Sequence, residues 1–152
     1  MTIVWKYLDK RSATIEAISD YGSMKFIIDH TDQKIKEEQD RMIGLGAMVM
    51  DGMPHLKNPK AGENRVVQGI DEINVLKERY RQAVEYMEWF VPAWKELSEE
   101  EQDILETFFG EDNYGDYAAD SITQRYHVSR PTVYRKRDRA LDRLTILLFG
   151  KE

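Results

Sequence analysis

The sequence contains no cysteine, which excludes disulfide bonds and cysteine-ligated zinc. Its three histidines, His30, His55 and His127, are far apart, and none has a second ligand candidate at metal spacing. No segment approaches the roughly 20 apolar residues that span a bilayer, and the first residues are too polar for a secretory signal. We therefore expect a cytoplasmic protein with no membrane segment, no bound metal and no cofactor.

Catalytic motifs are also missing. The sequence has no cysteine nucleophile, no glycine-rich loop that would cradle a phosphate and no HExxH zinc motif. Its many carboxylates occur at expected helix starts and on polar helix faces, where solvation explains them. We therefore predict that the protein is not an enzyme.

Charge is distributed unevenly along the 152 residues, whose net charge is −6. Residues 97–120 hold nine carboxylates and no Lys or Arg, whereas residues 121–152 hold eight Lys/Arg and three Asp/Glu, a net of +5. Cations concentrated at one end of an acidic chain are typical of a helix that contacts nucleic acid. The alternative is a solvated helix that is merely rich in arginine.

The region 1–96 is predicted to contain two long helices. Residues 4–45 have helical apolar spacing with a break near Tyr21 and Gly22. Past that break the apolar positions are Met24, Ile27, Ile28, Ile35, Met42 and Leu45. A second series alternates by three and four residues and ends near Pro92; it consists of Val66, Ile70, Ile73, Lys77, Tyr80, Val84, Met87 and Val91.

The segment 44–64 between these series is rich in glycine and proline and is predicted to be a loop. We therefore predict an antiparallel hairpin of helices 23–45 and 65–91. Because the seam is as narrow as that of a coiled coil, it could also bind a second copy and form a homo-oligomer. The loop carries Met48, Met50 and Met53, which either bind a partner or fold back onto the helices.

The region 97–152 is predicted to be a compact helical module. Ser98 and Glu101 form a capping box at the start of its first helix, which ends at Gly110; the buried face of that helix is Ile104, Leu105, Phe108 and Phe109. A second short helix is marked by Ala118, Ala119, Ile122 and Tyr126. The turn that follows, residues 127–129, places Ser129 as the cap of a final helix in which Pro131 is tolerated in the first turn. Two helices joined by so short a turn, the second of them basic, form a helix-turn-helix.

A helical wheel of the final helix separates its faces. The predicted buried stripe is Val133, Ala140, Leu144 and Leu147. The predicted DNA-binding residues are Ser129, Arg130, Thr132, Tyr134, Arg135, Lys136, Arg139 and Arg143. The early positions Arg130, Thr132 and Arg135 are expected at base edges, and the later Arg139 and Arg143 at phosphates. Arg137 is expected to pair with the acidic helix, and Tyr134 either stacks on the DNA backbone or shields the core.

These motifs resemble region 4 of sigma-70-type factors. LSEEEQDILETFFG and ITQRYHVSRPTVYRKRDRALDRL are similar to the form found in phage and prophage late transcription regulators of the ArpU/RinA type. Ile122, Tyr126, Val128, Ser129, Val133, Ala140, Leu141 and Leu144 occupy the positions of the pattern. Thr123, His127 and Lys136 depart from it, since the pattern has alanine, glycine and an apolar residue there. The resemblance covers about residues 97–150 and implies a regulator that binds duplex DNA.

The sequence therefore predicts an all-α protein with an N-terminal antiparallel helical hairpin, residues 1–96, followed by a C-terminal helix-turn-helix domain, residues 97–152. The predicted function is that of a DNA-binding transcription regulator of a phage or prophage. One alternative is a DNA-packaging protein similar to a small terminase subunit. A second is a module that contacts RNA polymerase through the acidic segment 97–120 without specific DNA binding.

Overall fold

The computed structural model describes residues 8–50 and 60–151, and the described part is helical without a β-strand, which confirms the all-α prediction. The described α-helices are α1 (Lys10–Met50), α2 (Lys60–Lys95), α3 (Glu99–Phe109), α4 (Ala118–Tyr126) and α5 (Arg130–Phe149), and a short 3-10 helix covers Gly115–Tyr117. None of the described helices combines the length and the apolar character needed to cross a membrane.

Helix α1 continues through Tyr21 and Gly22, so the predicted break there is wrong. A glycine inside a helix costs only about 1 kcal/mol relative to alanine. Tertiary packing offsets that cost, because Ile18 is buried and the ring of Tyr21 lies 6.1 Å from the ring of Phe90.

Helix α2 also extends further than predicted, because it contains Pro92 and ends at Lys95. Proline in a helix interior costs about 3 kcal/mol. Here the residues around it pack into the core, with Phe90, Ala93 and Leu97 buried, and this burial stabilises the last turn. The predicted end near residue 91 is therefore wrong.

The predicted loop 44–64 is too long at both ends, since α1 includes Met48 and Met50 and α2 begins at Lys60. Met53 lies outside the described residues.

The chain divides into two compact units. Unit 1 consists of Met1–Met24 and Tyr86–Glu152, and unit 2 of Lys25–Glu85. The division thus falls after residues 24 and 85, whereas the sequence interpretation placed a single boundary after residue 96. The ends of α1 and α2 supply much of the larger core of unit 1, whose buried members are Ala17, Ile18, Phe90, Ala93, Leu97, Leu105, Ala140, Leu141, Leu144, Leu148 and Phe149.

Unit 2 contains the remaining parts of α1 and α2. A Cβ atom added at Gly69 would lie 2.7 Å from the sulfur of Met42, so the two helices touch there. Ile73 of the predicted seam is buried, but Ile70 and Tyr80 are 49% and 36% exposed. Because the connecting residues 51–59 lie outside the described part, the hairpin stays a prediction, and so does its role in oligomerisation.

Candidate nucleic-acid interface

Helix α3 begins at the predicted capping box. The amide of Ser98 donates to Oε1 of Glu101 over 3.0 Å, and the amide of Glu101 donates to Oγ of Ser98 over 3.2 Å. Each side chain therefore satisfies a backbone N–H group that has no partner in the first helical turn. This fixes the start of α3, whose Ile104 and Leu105 are buried.

Helices α4 and α5 are joined by the predicted three-residue turn. His127 has a φ of +56°, a left-handed conformation that glycine adopts most easily. Ser129 occupies the N-cap position of α5, but its hydroxyl lies 2.9 Å from the Thr132 hydroxyl and does not bond to a backbone amide. A small core of Ile104, Ala119, Ile122 and Val133 packs α3, α4 and α5 together.

The contact between α3 and α4 is reinforced by Asp103. Its carboxylate accepts hydrogen bonds from Arg125 at 2.5 Å and from the Tyr126 hydroxyl at 2.7 Å. Partial burial alone would raise the pKa of Asp103, but these hydrogen bonds and the Arg125 charge lower it below its ordinary value. The same hydrogen bond to Asp103, together with desolvation, raises the pKa of Tyr126 to about 12.

The buried face of α5 differs from the predicted stripe. Val133, Ala140 and Leu144 are buried as expected, but Leu147 is 42% exposed, so its assignment is wrong. Leu141, Leu148 and Phe149 are buried in its place. The reason is that α1 packs along this side of α5, where Thr145 donates a 3.0 Å hydrogen bond to Thr14.

Arg11 is a residue whose role the sequence did not reveal. Its guanidinium lies 2.9 Å from Oδ1 of Asp138 and 4.0 Å from Oδ1 of Asp142. Both of these carboxylates belong to α5, so Arg11 offsets negative charge on the basic helix. No local pattern could indicate this contact, because it joins residues 127 positions apart.

Three of the predicted DNA-binding cations have carboxylate partners within unit 1. Lys136 lies 2.5 Å from Glu100, Arg143 lies 2.7 Å from Glu101, and Arg130 lies 3.3 Å from Asp120; these distances join the side-chain nitrogen and carboxylate oxygen atoms. All three pairs are solvent-accessible, and exposed pairs of this kind contribute at most about 1 kcal/mol each. They reduce the positive potential of α5 without burying its cations.

Arg137 does not pair with the acidic helix, so that expectation is wrong. It lies 3.0 Å from Asp138 of its own helix, and its guanidinium carbon is 5.1 Å from the ring centre of Phe108 and 4.9 Å from that of Tyr134. The flat guanidinium fits between two aromatic rings better than it reaches the carboxylates. Tyr134, which is 36% exposed, therefore packs against Arg137 and Phe108 and shields them in part from solvent.

Arg135 and Arg139 differ from the other cations of α5. Both are exposed, and within the described residues neither has a carboxylate within ion-pair distance. They lie four residues apart and therefore on the same side of the helix, next to the half-exposed Thr132. We call Thr132, Arg135 and Arg139 the open face.

No family model, no curated protein and no solved structure matches the chain.

Proposed function

We propose that the protein binds duplex DNA through α4 and α5 and regulates transcription, as the resemblance to phage and prophage late regulators implies. The observation that carries this proposal is the open face. It presents two guanidinium groups that have no carboxylate partner among residues 8–50 and 60–151, on a helix that follows a three-residue turn. In a helix-turn-helix, the second helix lies in the major groove and its first turns meet base edges.

The open face suggests a division of labour. Thr132 and Arg135 lie in the first two turns of α5 and are suited to base edges, where arginine can bind guanine through two hydrogen bonds. Arg139 lies one turn further along and is suited to a phosphate. Arg130, Lys136 and Arg143 reach phosphates only by exchanging their carboxylate partners, so they contribute less.

The alternative of an RNA-polymerase-binding module depends on the acidic segment 97–120. Several of its carboxylates are already used inside the protein: Glu100, Glu101, Asp103 and Asp120 form ion pairs with α4 and α5. These four carboxylates are therefore less available to a basic partner, whereas Glu99, Glu106, Glu111, Asp112 and Asp116 form no ion pair within the described residues. We choose DNA as the partner because of the cations of the open face rather than because of this partial neutralisation.

The proposal is tested by mixing the purified full chain with genomic DNA fragments and sequencing the fragments that it retains. We expect one or a few sites to be enriched by the wild type. Arg135→Ala should reduce the difference between the enriched site and random duplex, because a lost bidentate base contact costs about 1–3 kcal/mol at one position. Arg139→Ala should lower the affinity for the enriched site and for random duplex by the same factor.

The matched control is Arg81→Ala. Arg81 lies in unit 2, where it pairs with Glu78 at 2.7 Å and Glu85 at 3.0 Å, so the variant removes one positive charge that is not part of the open face. We expect its DNA binding to equal that of the wild type. Absence of any enriched fragment, or equal enrichment by the Arg135→Ala, Arg139→Ala double variant, would contradict the proposal. A ring-shaped oligomer that retains DNA would favour the packaging alternative.

A further inference from the structure

A cleft with a volume of about 480 Å³ lies within unit 1, away from the open face. Ile18, Phe90 and Trp94 line its apolar floor, and Ile18 and Phe90 are buried. The ring of Phe90 is stacked on those of Tyr86 and Trp94, with centres 5.2 and 5.5 Å away, and is itself buried. Trp94 and the 39% exposed Tyr21 therefore supply the accessible aromatic surface of the cleft. A space of this size, bounded by aromatic rings, suits a small molecule with one or two rings.

The rim of the cleft carries uncompensated negative charge. Glu106, Glu111 and Asp112 line it, and within the described residues none of the three has a side-chain hydrogen bond or an ion pair. Arg125 is also part of the lining, but its charge is offset by Asp103 at 2.5 Å. Lys95 is the remaining cation of the lining, so carboxylates exceed free cations.

Two of these carboxylates, Glu106 and Glu111, lie where a bound cation would stabilise their negative charge. Partial burial, and then the charge of Asp103, raises the pKa of Glu106 above its ordinary value. An oxygen of Glu111 lies 1.8 Å from the point that a Cβ atom at Gly22 would occupy. The absence of a side chain at position 22 thus lets this carboxylate lie directly on α1 at the edge of the cleft.

We propose that the cleft binds a small organic cation of the arylalkylammonium class, with its ring against Trp94 and Tyr21 and its ammonium group at Glu106 and Glu111. Aromatic faces and carboxylates both attract cations, whereas an anion would meet the carboxylate rim. Such a ligand would contact α1, α2 and α3 together and would stabilise unit 1 by binding the folded state alone. This inference does not depend on DNA binding.

Isothermal titration calorimetry of the full chain with three indole probes tests the proposal. Tryptamine carries an ammonium group, tryptophol a hydroxyl group and indole-3-acetate a carboxylate on similar short chains. We expect saturable tryptamine binding at pH 7 that is about tenfold tighter than tryptophol binding, since a charge-assisted hydrogen bond is lost with the neutral probe. Indole-3-acetate should bind more weakly than either.

Glu106→Gln and Glu111→Gln should each weaken tryptamine binding by about threefold, because both carboxylates are exposed, and should leave tryptophol binding unchanged. The matched control is Glu88→Gln on α2, which removes an exposed carboxylate outside the cleft and should change nothing. Circular dichroism establishes that each variant is folded. Equal binding of the three probes, tighter binding of the acid, no saturable tryptamine binding, or an equal loss in Glu88→Gln overturns the proposal. Since no DNA is present, the result is separate from the test of the open face.

Discussion

Removing the carboxylates that pair with α5 should make DNA binding stronger and more salt-dependent. In the wild type, Arg139 is the cation of the open face that is assigned to a phosphate, so about one phosphate is neutralised per chain. Counterion release then gives a slope of about −0.9 for the logarithm of affinity against the logarithm of salt concentration. A rise from about 50 to about 200 mM salt should therefore lower affinity about 3.5-fold.

The double variant Glu100→Gln, Glu101→Gln frees Lys136 and Arg143 for two further phosphates. The slope should then become about −2.7, and the same rise in salt should lower affinity about 40-fold. The fold should persist, because the lost ion pairs are accessible to solvent and glutamine also serves in a capping box.

The assay is fluorescence anisotropy of a labelled duplex at several salt concentrations. Glu99→Gln is the matched control, because Glu99 lies in the same helical turn but, within the described residues, has no ion-pair partner. Its slope should equal that of the wild type. If the double variant also keeps the wild-type slope, then Glu100 and Glu101 do not compete with phosphate for these cations, and the reasoning is refuted.

Three further predictions concern unit 1. Leu144→Ala should lower the free energy of unfolding by about 2–5 kcal/mol, whereas Leu147→Ala should change it by less than about 0.5 kcal/mol, because only Leu144 is buried. Denaturant unfolding of both variants measures these changes, and equal losses would contradict the observed buried face of α5. Asp103→Asn should reduce the free energy of unfolding at neutral pH. The difference in that free energy between variant and wild type should shrink as pH falls below 3.8, the ordinary pKa of an aspartate, because a carboxylate with a lowered pKa stabilises the fold only while it is ionised. A difference that does not vary with pH would disprove this. His127→Gly should raise stability by up to about 1 kcal/mol in thermal unfolding, because glycine adopts a φ of +56° without strain, and His127→Ala should give no such gain.

Much of α3, α4 and α5 could be predicted because their signals are local. The capping box of Ser98 and Glu101 marks the start of α3, and Pro131 after Ser129 marks the start of α5. Such signals involve residues within one turn of each other and keep their meaning in any fold. The turn at residues 127–129 is likewise predicted from neighbouring residues alone.

The extent of α1 and α2 could not be predicted from local signals. Gly22 and Pro92 usually mark the ends of helices, but both lie inside a helix here. Contacts between distant residues, such as that between Tyr21 and Phe90, outweigh the local preference. A single sequence does not show which residues will supply those contacts.

The candidate site was predicted only in part for the same reason. The wheel placed Arg135, Lys136, Arg139 and Arg143 on one side of the helix, but it could not show which of them meet carboxylates of α3. That depends on how far α3 lies from each turn of α5. Lys136 and Arg143 pair with Glu100 and Glu101 of α3, whereas Arg135 and Arg139 form no ion pair with any described residue.

The pairing of Arg11 with Asp138 and Asp142 has a consequence for biosynthesis. Residues 10–24 are synthesised before α5, and the core that they share with that helix cannot close until residue 149 has been synthesised. The intervening unit 2 has all of its residues available earlier. The apolar surface that residues 10–24 contribute to this core therefore stays uncovered by α5 while residues 25–149 are being made, and Arg11 can pair with the basic helix only after that.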